Sequence, residues 1–179
     1  MSVDSARSNL VLRSPGEFAA AIPALLGFTP EASLVAVFLG KGQVIVTMRV
    51  DLPESLEEFT EHATGVACRV GADAVVLAVC CARGVGDLPH HDGVDALIGA
   101  LEDDGVAVKD ALLIDSGRYW SYGCQSPQCC PPEGVPIPED HALEAERVGA
   151  GMPAVADNRD AVIERYRPRP DLTASPELH

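Results

Sequence analysis

Aromatic residues are scarce in this sequence, which has four Phe, three Tyr and one Trp among 179 residues. A folded core must therefore be built mainly from Val, Leu, Ile and Ala. Apolar residues of all types make up 47% of the chain, an ordinary share that excludes a protein disordered throughout. The length suits one domain.

Basic residues are also few, with 13 Lys and Arg against 27 Asp and Glu and a net charge of -14. A surface of this charge repels the phosphate backbone of nucleic acids. No basic cluster interrupts it before Arg165, Arg167 and Arg169 near the end of the sequence. The composition therefore predicts no nucleic-acid partner.

Long apolar runs are missing as well. The longest, around residues 74–82, is far shorter than the roughly 20 residues that a membrane-spanning helix requires. Residues 1–13 contain Asp4 and Arg7 and lack the apolar run of a signal peptide. We therefore expect no membrane association, a cytoplasmic location, and six cysteines that are reduced thiols rather than a disulfide framework.

Helix and strand patterns alternate along the chain. Two strand pairs flank the turn sequences Gly40-Lys41-Gly42 and Asp115-Ser116-Gly117, and apolar residues at helical spacing lie between the other strands. Strands joined through helices favour parallel pairing. The pattern predicts an α/β fold with a mixed five-stranded sheet, made of two hairpins plus parallel crossovers, and helices packed against it.

Capping residues mark two of the helix starts. Ser14 and Glu17 form a capping box before the first helix, and Gly27 is placed to end it. Ser55 and Glu58 form a second box.

Three segments are predicted. We expect residues 1–138 to form the α/β domain, residues 139–167 to form a C-terminal helical appendage, and residues 168–179 to be a frayed tail.

The most conspicuous motif is the thiol loop, residues 123–134, which follows the last predicted strand. In it, a turn-prone Gln-Ser-Pro-Gln separates Cys124 from the Cys129-Cys130 pair, which brings the sulfurs close together. Three thiolates suit zinc, but a closed structural site needs four ligands. His141, Cys68 or a carboxylate such as Asp140 would have to supply the fourth.

Two other roles are open to these three cysteines. A pair of thiols can cycle through a disulfide, or one thiolate with a lowered pKa can act as a nucleophile. An unpaired cysteine is more often a small apolar side chain packed in the fold. Since Pro131-Pro132 stiffens the exit of the loop, this structural role is the favoured interpretation.

Carboxylates at strand ends are a second candidate metal site. Asp51 and Asp115 each end a predicted strand, and Glu133 joins them if the thiol loop folds back. Carboxylate oxygens bind hard cations such as Mg²⁺. Aspartate before a helix or in a turn is more often a cap or a turn residue, and that role is favoured here.

Three of the eight aromatic residues lie within four positions, on the last predicted strand. Side chains alternate along a strand, so we expect Trp120 and Tyr122 on one face and Tyr119 on the other. Together with Glu133 they could line a ligand or partner surface, and packing of an outer strand explains them equally well.

The motifs of common cofactor sites and catalytic centres are not found. Gly84-Val85-Gly86-Asp87 lacks the third glycine and the following helix of a phosphate-binding loop, and no Gly-x-Ser-x-Gly is present. His90-His91-Asp92 lies where a loop enters a helix, a position at which polar residues are expected. We predict no cofactor.

Several blocks of sequence, in order, resemble one protein family. The first block runs from Leu12-Arg13-Ser14-Pro15 through Leu25-Leu26-Gly27-Phe28 to Pro30 and Ser33-Leu34-Val35. The others are Arg49-Val50-Asp51-Leu52-Pro53, Arg118-Tyr119-Trp120-Ser121-Tyr122, Cys124, Cys129-Cys130-Pro131 and Glu133-Gly134. They resemble family 4192 of the domains of unknown function, which is mostly actinobacterial, over about residues 10–166. The resemblance implies a family but no activity, because the family has none that can be transferred.

The sequence thus favours a protein-binding or regulatory module, with a protein partner or a second copy of the chain. The alternative is a thiol-dependent enzyme or a metal-binding domain with its site at Cys124, Cys129 and Cys130.

Overall fold

The computed structural model of the protein describes residues 14–52, 56–124, 126–139 and 142–167. In chain order the helices and strands are α1 (Pro15–Leu26), β1 (Ser33–Gly40), β2 (Gln43–Asp51), α2 (Glu57–Val70), β3 (Ala74–Cys80), α3 (His91–Asp103), β4 (Ala107–Asp115), β5 (Arg118–Ser121), β6 (Val135–Pro136), α4 (Ala142–Gly149) and α5 (Arg159–Arg165). From α1 to β5, helices alternate with single strands or strand pairs, as the sequence predicts.

The strands form one mixed sheet in the order β2-β1-β3-β4-β5-β6. Strands β3 and β4, connected through α3, are parallel, and every other neighbouring pair is antiparallel. Strand β2 runs in the same direction as β3, with β1 between them, because both are antiparallel to β1. The predicted α/β fold with a mixed sheet, two hairpins and crossovers is therefore confirmed.

The sheet has one strand more than predicted. Residues Val135 and Pro136 pair with Tyr119 and Arg118 of β5. A strand of two residues that includes a proline shows no alternating pattern, so the sequence gives no sign of it.

Helices cover both faces of the sheet. On one face, α2 and α3 pack over a core that includes Phe38, Leu77 and Leu113. On the other face, α1 packs over a smaller core that includes Ile22 and Val35. Strands β1 and β3 are buried on both sides, which explains their nearly continuous apolar sequences.

The predicted Ser14 N-cap and Gly27 C-cap of α1 are confirmed. The Glu17 N–H donates to Ser14 Oγ at 3.2 Å, and the helix ends at Gly27, whose φ of 85° lies in the left-handed region. The second predicted capping box cannot be followed, because Ser55 lies outside the described residues.

Helix α4 and the segment between α4 and α5 lie against the rest of the fold. Helix α4 contacts α1, and Ala156 forms an isolated bridge with Phe28, in which the Ala156 N–H donates to the Gly27 carbonyl at 2.9 Å. The division at residue 138 stays a prediction, and residues 168–179 lie outside the described part of the chain. None of the helices that the structure describes has the length and apolar character needed to cross a membrane.

Candidate functional site: a cysteine cluster beside strand β5

The thiol loop lies along the outer edge of β5. It begins just beyond Tyr122, whose N–H donates to the Ala111 carbonyl at 2.8 Å, and it returns to the sheet as β6. Both ends of the loop are therefore attached to the same sheet, which fixes its position.

A turn inside the loop brings its cysteines together. The Ser126 carbonyl accepts the backbone N–H groups of Cys129 at 3.3 Å and Cys130 at 2.8 Å, and the Gly134 N–H donates to the Pro131 carbonyl at 2.8 Å. The turn-prone sequence between Cys124 and Cys129 thus acts as predicted.

Side chains of β5 hold the exit of the loop. Trp120 Nε1 donates to the Pro132 carbonyl at 3.0 Å, and the Arg118 guanidinium donates to the Gly134 carbonyl at 2.9 Å. A Cβ on Gly134 would lie 2.5 Å from ring carbons of Trp120, and the φ of Gly134 is 78°. Only glycine allows the indole to approach the backbone this closely.

Cys124, Cys129 and Cys130 form a compact group that we call the cysteine cluster. Their Sγ atoms all lie within 4.8 Å of one another, and Cys124 Sγ is 2.8 Å from Cys129 Sγ. All three are free thiols. The Cys124–Cys129 separation is longer than the S–S bond of a disulfide, about 2.05 Å. It is shorter than the distance of roughly 3.8 Å between two thiolates bound to a tetrahedral zinc ion with Zn–S bonds of about 2.3 Å.

The thiols of the cluster differ in acidity. Hydrogen bonds from Cys129 and then Cys130, with a smaller one from the Ser126 backbone, lower the pKa of Cys124. Burial, followed by the hydrogen bond with Cys124, raises the pKa of Cys130 to about 12. At neutral pH Cys130 therefore remains a thiol and a donor, and Cys124 loses its proton more readily than Cys130.

Asp110 was missed by the sequence analysis. Its Oδ1 accepts the Ser121 hydroxyl and the Ala111 N–H, both at 2.8 Å, and its charge acts on Cys124. Asp110 faces the start of the thiol loop because Leu112 pairs with Ser121. This register is not visible in the sequence, so no signal could have identified Asp110.

The aromatic side chains alternate as predicted. Tyr122, which is 5% exposed, and Trp120 belong to the core under α2 and α3, and Tyr119 packs on the α1 side. The Tyr122 hydroxyl donates to the Pro89 carbonyl at 2.7 Å, and the Arg83 guanidinium lies 5.8 Å from the Trp120 ring centroid. These side chains serve mainly to pack β5 and to hold the loops on either side of it.

Asp115 has the turn role that its sequence position favours. Its carboxylate accepts the Arg83 N–H at 2.9 Å and the Ser116 hydroxyl at 2.8 Å. These two hydrogen bonds lower the pKa of Asp115.

The structure does not gather the predicted carboxylates into a metal site. Asp51 lies 2.7 Å from the Arg49 guanidinium and 3.8 Å from that of Arg159. Within the described ranges, the only group of His, Cys, Asp or Glu side chains with the spacing of metal ligands is the cysteine cluster. Asp51, Asp115 and Glu133 are not part of it.

The fourth ligand that a closed zinc site would need is not found among the described residues. Cys68 is exposed on α2 and does not belong to the cluster. Asp140 and His141 lie outside the described residues.

The paired histidines occupy a helix entry, as predicted. His90 is the residue before α3, with a φ of 60°. His91 Nδ1 lies 3.2 Å from Asp95 Oδ2, one turn along the same helix.

Comparison with protein families gives one match. A family model described as "Domain of unknown function (DUF4192)" matches residues 15–178, which confirms the resemblance seen in the sequence blocks and includes the whole thiol loop. No curated protein matches the sequence. The family description contains no activity, so a function has to be argued from the geometry of the cluster.

Proposed function

The chain belongs to the DUF4192 family, and from the cysteine cluster we propose that it is a regulatory module that works by thiol–disulfide exchange between Cys124 and Cys129. The observation that carries this proposal is the 2.8 Å separation of their Sγ atoms. A disulfide needs a separation of about 2.05 Å, so a movement of less than about 1 Å converts the pair.

The two cysteines have distinct parts in the exchange. The Cys124 thiolate attacks one sulfur of a small-molecule disulfide, RS–SR. The S–S bond of RS–SR breaks, a mixed disulfide Cys124–SR forms, and the leaving RS⁻ takes a proton from solvent. Cys129 then loses its proton and attacks Cys124 Sγ, which forms the Cys124–Cys129 bond and releases the second RS⁻. Two protein thiols are oxidised by two electrons, and the disulfide is reduced to two RSH.

The surroundings of the cluster support these roles. Cys129 is exposed and Cys124 is half-buried, so a disulfide from solution can reach both. Hydrogen bonds from the neighbouring thiols lower the pKa of Cys124, and burial keeps Cys130 protonated as a donor. Because the exit of the loop is held by Trp120 and Arg118, the movement on oxidation is confined to its first half.

A regulatory role requires that oxidation changes the surface that the molecule presents to a partner. Formation of the disulfide draws Cys129 toward Cys124 and alters the exposed turn at Ser126 between them. The side chains of Trp120 and Tyr122 are mostly engaged in packing, so this turn, rather than the aromatic strand, is the surface that a partner would distinguish.

Equilibration with mixtures of reduced and oxidised glutathione tests the proposal. We expect one intramolecular disulfide, seen as a mass loss of two hydrogens and mapped by peptide digestion to Cys124 and Cys129. Cys124→Ser and Cys129→Ser should each abolish it, whereas Cys68→Ser should behave like the unmodified protein because Cys68 is exposed and remote from the cluster. Cys130→Ala should still form the disulfide.

The rate of alkylation gives an independent measure of the same chemistry. Cys124 should react with iodoacetamide with an apparent pKa below the roughly 8.5 of free cysteine. Cys130→Ala should move that value upward, because it removes one of the donors that stabilise the thiolate. Disulfides that map to other cysteines, or uniform labelling with the pKa of free cysteine, would contradict the proposal.

A further inference from the structure

The sulfurs of the cysteine cluster have nearly the spacing that a soft cation requires. All three Sγ atoms lie within 4.8 Å of one another, against the roughly 3.8 Å expected around tetrahedral zinc. The Sγ atoms of Cys124 and Cys129, 2.8 Å apart, must move apart by about 1 Å to reach that value. The other two pairs of Sγ atoms have to approach each other by at most about 1 Å.

Two backbone N–H groups already point at sulfurs of the cluster. The Ser121 N–H donates to the Cys130 sulfur and the Ser126 N–H donates to the Cys124 sulfur. Hydrogen bonds to ligand atoms of this kind orient metal ligands and stabilise their charge. The turn at Ser126 and the contact between Trp120 and Pro132 hold the loop, so little chain ordering opposes binding.

The electrostatic surroundings favour a cation. Asp110 adds negative charge beside Cys124, and the Arg118 guanidinium is directed at the Glu133 and Gly134 carbonyls. Three thiolates and a divalent ion carry a combined charge of -1, and Cys thiolates are among the ligands that bind zinc in proteins.

We infer that the reduced cysteine cluster is a binding site for one soft divalent cation, zinc, held by Cys124, Cys129 and Cys130 with water in the fourth position. The inference goes beyond thiol–disulfide exchange and does not depend on it. Binding forms three S–Zn bonds, and each sulfur that is still protonated loses its S–H bond and releases its proton to the buffer. Because the same sulfurs are used, the metal and the Cys124–Cys129 disulfide exclude each other.

Cobalt titration of the full chain, reduced and stripped with a chelator, tests the inference. We expect a thiolate-to-cobalt charge-transfer band that saturates at one cobalt per chain and disappears on adding zinc. X-ray absorption of the zinc form should show three sulfur neighbours at about 2.3 Å and one lighter atom. A band that is absent, or that fails to saturate at one cobalt per chain, would overturn the inference.

Matched variants separate the cluster from the other thiols. Cys124→Ser, Cys129→Ser and Cys130→Ser should each weaken zinc binding by more than the roughly 10–100-fold that loss of an outer hydrogen-bond partner costs. Cys68→Ser should leave the affinity unchanged. Equal affinities in all four variants would show that the ion binds elsewhere and would overturn the inference.

The same protein distinguishes this inference from the proposed function. If reduced protein binds zinc but glutathione forms no Cys124–Cys129 disulfide, the exchange function fails and the metal site stands. If the disulfide forms but reduced protein binds no zinc, the metal site fails and the exchange function stands.

Discussion

Gly134→Ala is expected to destabilise the protein by about 2–4 kcal/mol, through left-handed backbone strain and steric overlap together. The φ of Gly134 is 78°, and its new Cβ would lie 2.5 Å from two carbons of the Trp120 ring. The indole cannot withdraw without losing its hydrogen bond to the Pro132 carbonyl. The exit of the thiol loop should therefore detach from β5.

Gly117→Ala is the matched control for this variant. Gly117 has a φ of 74°, but a Cβ added there would meet no atom within 4 Å. The Gly117→Ala variant should therefore lose only the stability that backbone strain costs, about 1–2 kcal/mol. Urea unfolding followed by far-ultraviolet circular dichroism measures both losses. Equal losses would show that the contact between Gly134 and Trp120 contributes nothing to stability.

The second large effect is a loss of stability at alkaline pH that originates at Cys80. This residue lies in β3 and is 4% exposed, and burial, followed by the charge of Cys81, raises the pKa of its thiol to about 12. In the unfolded chain the thiol has a pKa near 9.0 and ionises first as the pH rises. The unfolded state then binds fewer protons than the folded state, so the free energy of unfolding must fall with pH.

The expected contribution of Cys80 is constant below about pH 9 and falls by up to about 1.4 kcal/mol per pH unit above it, for a total of about 4 kcal/mol by pH 12. Urea unfolding of the unmodified protein and of Cys80→Ala, at a series of pH values, measures it. The variant is expected to be less stable at neutral pH and to show a shallower alkaline decline. Cys68→Ala, at an exposed thiol, should keep the original slope, and parallel declines in all three proteins would refute the assignment.

The order of the helices and strands was predictable because local patterns determine it. Alternation in β2, continuous apolar character in β3 and the turn residues at Gly40 and Gly117 each specify an element without reference to distant residues. The order of strands in space was not predictable. It places β1 between β2 and β3, and that arrangement depends on which faces α1, α2 and α3 can cover together.

The candidate site was predictable in its cysteines and not in its surroundings. The spacing of Cys124, Cys129 and Cys130 allows a turn to bring them together, and the structure has that turn. Asp110 lies near the cluster only because of the register in which β4 pairs with β5. Likewise, the need for glycine at position 134 arises from the position of the Trp120 ring, which is set by packing against the core.

The contact between Trp120 and the thiol loop has a spectroscopic consequence. Trp120 is the single tryptophan of the chain, and its indole N–H is bonded to the Pro132 carbonyl beside the cysteine cluster. Intrinsic fluorescence excited at the red edge of the absorption band therefore comes from one indole at the exit of one loop. The emission wavelength of Trp120 and the quenching of its fluorescence by acrylamide report on this loop alone. The oxidation and metal occupancy of the cluster can therefore be followed without an added label.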